Sequence, residues 1–147
     1  MFTVQCRFIA LLIISTPAIL TLAVAAENTE QSIEDQKAVV AVLQGYNDAL
    51  QALTTQGTFE LFTDDAQVYE QGGVEGTYRH YVEHHLGPEL AHFERFTFSD
   101  YSVDVQFLGY AALATQTYKY TIVTKASSEK PSRTIEKKGL ATSVLIS

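Results

Sequence analysis

The chain is poor in cysteine and in positive charge, and each shortage removes whole classes of function. Its single cysteine, Cys6, stands in an apolar amino-terminal run, so the rest of the sequence has no thiol. That excludes a disulfide framework and any Cys-based metal or nucleophile site, and leaves a packed core as the source of stability. Basic residues number 10 against 17 acidic ones, for a formal charge of −7. An acidic surface repels phosphate backbones and anionic lipid, which argues against nucleic acid as a partner. The charges are interspersed and fit a solvated surface. Also missing are an internal repeat, a low-complexity tract, a dividing linker, a Ser-His-Asp arrangement and a phosphate loop.

The amino terminus reads as a secretory signal peptide. Phe8 to Val24 is almost wholly apolar, follows Arg7, and ends in Ala23-Val24-Ala25-Ala26 before the polar Glu27-Asn28-Thr29-Glu30. The alternative is a membrane anchor, since the run is near the lower limit of about 17 residues for spanning a bilayer. An Ala-x-Ala exit is what a signal peptidase needs and an anchor does not. The expectation is therefore a leader over residues 1–26, cleaved after Ala25 or Ala26, and one domain over 27–147, periplasmic or secreted and off the membrane. Losing Arg7 with the leader takes the charge from −7 to −8.

From Ser32 to about Gln56, Val39, Leu43, Tyr46, Leu50 and Leu53 recur every three or four residues, as an amphipathic helix requires, and Gly57 is placed to end it. Ala66 to Glu70 alternates like a strand before Gly72-Gly73 breaks it. Thr77 is a cap for a second helix that Gly87-Pro88 interrupts or ends near Leu86. Phe93 to Leu108, Ala111 to Lys125 and Thr134 to Ile146 are rich in Phe, Tyr, Thr and Val and alternate in polarity, as long strands of an antiparallel meander do. Helices first and a bent sheet later make an α+β domain, with the helices over one sheet face.

All four histidines fall between positions 80 and 92, just after Tyr69-Glu70-Gln71-Gly72-Gly73. Histidine binds metals and moves protons near neutral pH, so this stretch is the candidate seat of chemistry. At 100° per residue, Tyr78, Tyr81, Val82 and His85 share one side of the second helix, with Arg79, His80, Glu83 and His84 on the other. His85 is thus aimed inward, as a pocket group partnered by Glu70 or as a satisfied core histidine. His80 and His84 form an i, i+4 pair that can reach one metal ion or can belong to a solvated face.

The long helix with Tyr46, then Leu61-Phe62-Thr63-Asp64-Asp65-Ala66-Gln67-Val68-Tyr69-Glu70, a glycine turn, a His-bearing helix and three long strands resemble the nuclear transport factor 2-like superfamily in its SnoaL-like branch. The likeness runs from roughly Glu34 to the carboxyl terminus. It implies a cone-shaped curved antiparallel sheet closed by N-terminal helices around a pocket, a cystatin-like α+β roll. The superfamily includes ketosteroid isomerases, polyketide cyclases, dehydratases and binding proteins without catalysis. By that resemblance Tyr46 matches the isomerase tyrosine that donates to an oxyanion, and Glu70 the carboxylate that carries the proton. The second oxyanion donor would fall near Ala141, which has nothing to donate, and losing one such donor typically costs about 100- to 1000-fold in rate. Relatives usually finish with a further strand, whereas this sequence stops at Val144-Leu145-Ile146-Ser147. That describes a shortened family member, or an edge that a partner completes.

The sequence supports three functions as expectations. The first is an exported pocket protein that binds a small organic ligand through Tyr46, Tyr69, Glu70, Tyr81 and His85, or a divalent metal, zinc or copper, through His85, Glu70 and His84. The second is a small isomerase, cyclase or hydrolase with Glu70 or His85 as general base and Tyr46 as hydrogen-bond donor. The third is a dimeric structural adaptor. A homodimer is expected in each case.

Overall fold

A computed structural model describes residues 18–146, with side chains from residue 32 onward. Most of the expected leader lies outside the described residues, and no helix among them is long and apolar enough to cross a membrane. The chain divides between Glu34 and Asp35 into two compact units. The second unit, Asp35–Ser147, contains every candidate site residue.

Helix α1, Ala18–Gln51, stops earlier than its apolar period suggests. Leu53 takes a left-handed conformation, φ 55°, and the Leu53 and Thr54 amides donate to the Leu50 and Ala49 carbonyls. This is the two-bond Schellman cap, which ordinarily has glycine where Leu53 stands. A left-handed leucine costs about 1–2 kcal/mol. Its packing beside Leu50, Tyr78 and Tyr81 offsets that cost, so Gly57 is not the terminator.

A 3-10 turn, Thr58–Leu61, leads to a hairpin of β1, Gln67–Glu70, and β2, Gly73–Thr77. The two connecting residues, Gln71 and Gly72, both have positive φ, 49° and 84°, as a type I′ hairpin turn demands. Strand β2 has two glycines in five residues and no polar alternation, and its sequence does not announce it. Tyr69 pairs with Val74 and Val68 with Gly76, which leaves Glu75 as the extra residue of a bulge. A bulge re-aims the side chain it carries.

Thr77 caps α2, Tyr78–Tyr81, its hydroxyl accepting from the His80 amide. Gly87-Pro88 does not end the helix. The helix widens into a π turn, Val82–Leu86, and continues as α3, Gly87–His92. Pro88 has no N–H, and its ring would strike the carbonyl four residues back in a regular helix. One extra residue in the turn moves that carbonyl aside, and the Gly87 amide donates to Val82 O instead. Gly87 fits because a Cβ there would lie 2.7 Å from Val82 O.

Strands β3, Phe93–Leu108, β4, Ala111–Thr124, and β5, Thr134–Ile146, form the antiparallel meander in the order β3-β4-β5. Register breaks at Phe93/Arg95 and at Ser99/Ser102 bend β3, with Asp100 at φ 50°. The core has two parts. Val39 and Leu43 of α1 pack on Ala112 and Ala114, whose small side chains let the helix lie close to β4. Leu50 joins Tyr78, Tyr81, Val82, Leu86 and Leu90, backed by Phe93, Phe96 and Phe98. Each large apolar side chain buried there contributes about 1.5–3 kcal/mol.

Candidate functional site

The site forms where the hairpin turns its acids toward the helix. Alternation along β1 sends Val68 and Glu70 inward and leaves Tyr69 70% exposed on the other face. The bulge at Glu75 aims a second carboxylate the same way. His85, in the π turn, lies between them. Its Nδ1 is 3.1 Å from Glu75 Oε2, and its Nε2 is 3.4 Å from Glu89 Oε1 and 3.8 Å from Glu70 Oε2. The Tyr81 hydroxyl donates to Glu70 Oε2 at 3.0 Å, and the Tyr81 and His85 rings are 5.2 Å apart.

A carboxylate can only accept from Nδ1, so His85 carries its proton there and turns Nε2 toward Glu70 and Glu89. The His85 pKa is raised, first by the hydrogen bond to Glu75 and then by the charges of Glu89, Glu70 and Glu75, against a partial opposing effect of burial. A histidine so surrounded is better fitted to give a proton than to act as a base. The same proton competes with any metal for the imidazole.

Tyrosines surround Glu70. Burial is the main cause that keeps the hydroxyls of Tyr46, Tyr81, Tyr118 and Tyr120 protonated to higher pH than usual, and the Glu70 charge adds to it for all four. Tyr46 also serves the core, its ring edge-on to Phe62 at 5.6 Å and to Tyr78 at 6.3 Å. Tyr118 lies across Gly139, its cross-strand partner, so closely that a Cβ at Gly139 would overlap the ring.

The structure thus brings together Glu70, Tyr81 and His85, with Tyr46 within electrostatic reach. It does not bring in Tyr69, which is exposed, or His84, whose ring lies 4.4 Å from His80. Among the described residues no group of three or more His, Cys, Asp or Glu is arranged to hold a metal ion. Two residues escape the sequence reading. Glu89 stands four after His85, a spacing that could have identified it. Glu75 gave no such signal, because its direction is set by a bulge. A half-buried polar row, Tyr101 to Gln116 at 2.8 Å and Gln116 to Ser143 at 3.4 Å, crosses the sheet beside Ala141.

An open depression of about 390 Å³ lies along Ser99, Lys119, Tyr120, Thr121 and Glu136 to Lys138. None of the residues chosen from the sequence lines it. The convergence of Glu, His and Tyr marks the chemistry better than this basic, open surface does.

No protein-family model matches the chain, and no curated protein matches it. Solved structures do. One is a nuclear transport factor 2 (NTF2-like) superfamily protein from Salmonella enterica subsp. enterica serovar Typhimurium str. LT2, with a TM-score of 0.67 and 16% identity over 78% of this chain and 81% of that one. The fold is the nuclear transport factor 2-like fold. Another is a candidate ketosteroid isomerase from Shewanella frigidimarina NCIMB 400, with a TM-score of 0.56 and 22% identity over 72% of this chain and 80% of that one. The α+β architecture expected from the sequence, helices against a curved antiparallel sheet, is the one observed. In this nuclear transport factor 2-like fold, the His-bearing helix and the β1–β2 hairpin supply the acid–imidazole cluster.

Proposed function

We propose that the protein binds a small organic molecule at the Tyr81-Glu70-His85-Glu75 cluster, without turnover. The supporting observation is the chain of polar groups in which the Tyr81 hydroxyl donates to Glu70, the Glu70 carboxylate lies 3.8 Å from His85 Nε2, and Glu75 holds the other ring nitrogen. Such a chain fixes the direction of one acceptor and one donor before a ligand arrives, which is how a binding site lowers its ordering cost. The tyrosines around Glu70 suit a ligand with a flat, mostly apolar body and one hydroxyl or carbonyl group.

The reading as a general acid/base enzyme keeps Glu70 as base and Tyr46 as donor, and changes His85 from a second candidate base to an acid because its pKa is raised. It is the weaker one, because Ala141 offers no donor beside Tyr46 for a developing oxyanion. Ligand-observed NMR with a panel of phenols and cyclic ketones, on wild type and Glu70→Gln, tests the proposal. Binding in wild type that is lost in Glu70→Gln supports it. Binding unchanged in Glu70→Gln sinks it. Conversion of a β,γ-unsaturated cyclic ketone to its conjugated isomer, absent in Glu70→Gln, would move the protein to the enzyme reading.

A further inference from the structure

The two exposed histidines on the opposite side of the helix are not explained by that site. We infer that His80 and His84 form a two-imidazole chelate for a borderline divalent metal ion such as copper, nickel or zinc, independent of the Glu70-His85 cluster. Their rings are 4.4 Å apart, centroid to centroid, and inclined at 41°, so they are neither stacked flat nor turned away from each other. Two imidazoles that share one metal through bonds of about 2.1 Å hold their centroids roughly 4.5–5 Å apart, so small side-chain rotations suffice.

The second observation concerns the proton on His80. Its Nδ1 is 3.0 Å from the backbone carbonyl of Glu75, and a carbonyl can only accept. Nδ1 therefore bears the hydrogen, and Nε2 is left with its lone pair for a metal. Holding the non-ligating nitrogen by a backbone carbonyl is the usual outer support of a metal-binding histidine. The same Glu75 whose carboxylate holds His85 thus orients His80 through its main chain. Gly76, at φ 82°, lets the chain pass close under the His80 ring.

With no third His, Cys, Asp or Glu arranged to complete the set among the described residues, the other metal positions are left to water. Imidazole pairs follow the order in which copper binds most tightly, and they offer nothing to the hard ions magnesium and calcium.

The test is calorimetry of the tag-free protein with copper, nickel and zinc chlorides, joined to thermal unfolding with and without zinc. One metal per chain is expected, with a rise in melting temperature, because the i, i+4 geometry exists only in the folded helix. His80→Ala and His84→Ala should each weaken binding at least about tenfold and remove the thermal rise. Both side chains are exposed, so the variants should fold, which circular dichroism checks. His92→Ala and His85→Ala should bind as wild type does. Metal binding that survives His84→Ala, or that disappears in His85→Ala, overturns the inference, as does the absence of any binding in wild type. These outcomes are separate from the organic-ligand test, which reads Glu70.

Discussion

Replacing Gly87 by alanine should destabilise the protein, although helix propensity alone predicts the reverse. Gly87 has ordinary helical angles, φ −60° and ψ −52°, where alanine is worth about 1 kcal/mol more than glycine. The obstacle is steric. A Cβ at this position meets Val82 O at 2.7 Å, whereas ordinary contact begins at 3.4 Å, so the π turn must open by several tenths of an ångström. That oxygen is also the acceptor for the Gly87 amide, and both flanking side chains, Val82 and Leu86, are buried. Overpacking of this kind costs about 1–3 kcal/mol, and a stretched hydrogen bond adds about 1. Set against the propensity gain, the net loss is about 1–3 kcal/mol, or a fall of about 3–15 °C in melting temperature for a domain of this size. Urea and thermal unfolding by circular dichroism read it directly. Because His85 sits inside the same turn, its NMR titration midpoint should also drift toward the ordinary histidine value as the Glu75 contact loosens. A Gly87→Ala protein at least as stable as wild type would refute the reasoning, since it would mean that the turn gives way without strain.

The raised His85 pKa has a definite sign: its contribution to stability is complete below about pH 6.5, the unfolded value, and is lost as pH rises through the higher folded value. In chelator-treated solution the His85 ring protons should titrate above those of free histidine, and Glu75→Gln should move the midpoint down; a midpoint unmoved by Glu75→Gln would remove Glu75 as the main cause. Gly139→Ala should cost about 1–3 kcal/mol by unfolding, because the Tyr118 ring must leave its place, and unchanged stability would show that the ring moves freely. Leu140, Val144 and Ile146 of β5 are 61–72% exposed on one sheet face, with Leu108 of β3 60% exposed on the same face. We expect a second copy to cover this face, so that sedimentation shows a homodimer in wild type and a monomer in Leu140→Lys/Val144→Lys; a wild-type monomer at high concentration would count against it.

The sequence alone determined the elements whose side chains repeat with a clear period. The buried stripe Val39, Leu43 and Leu50, the three long alternating strands and the Thr77 cap were all legible, because period 3.6 and period 2 are properties of the local chain. The inward direction of His85 was legible for the same reason, whereas that of Glu70 followed only from the family resemblance. The structure decided what depends on a backbone irregularity. The helix end moved from Gly57 to Leu53 because packing outweighed a left-handed leucine. The helix passed through Gly87-Pro88 because a π turn accommodated the ring. Strand β2 and the aim of Glu75 came from a tight hairpin and one extra residue, neither of which has a periodic signature. A bulge or a π turn shifts side chains by a residue at small local cost, and only the tertiary contacts around it fix whether that shift happens. For this protein that shift places the Glu75 carboxylate on His85 and the Glu75 carbonyl on His80.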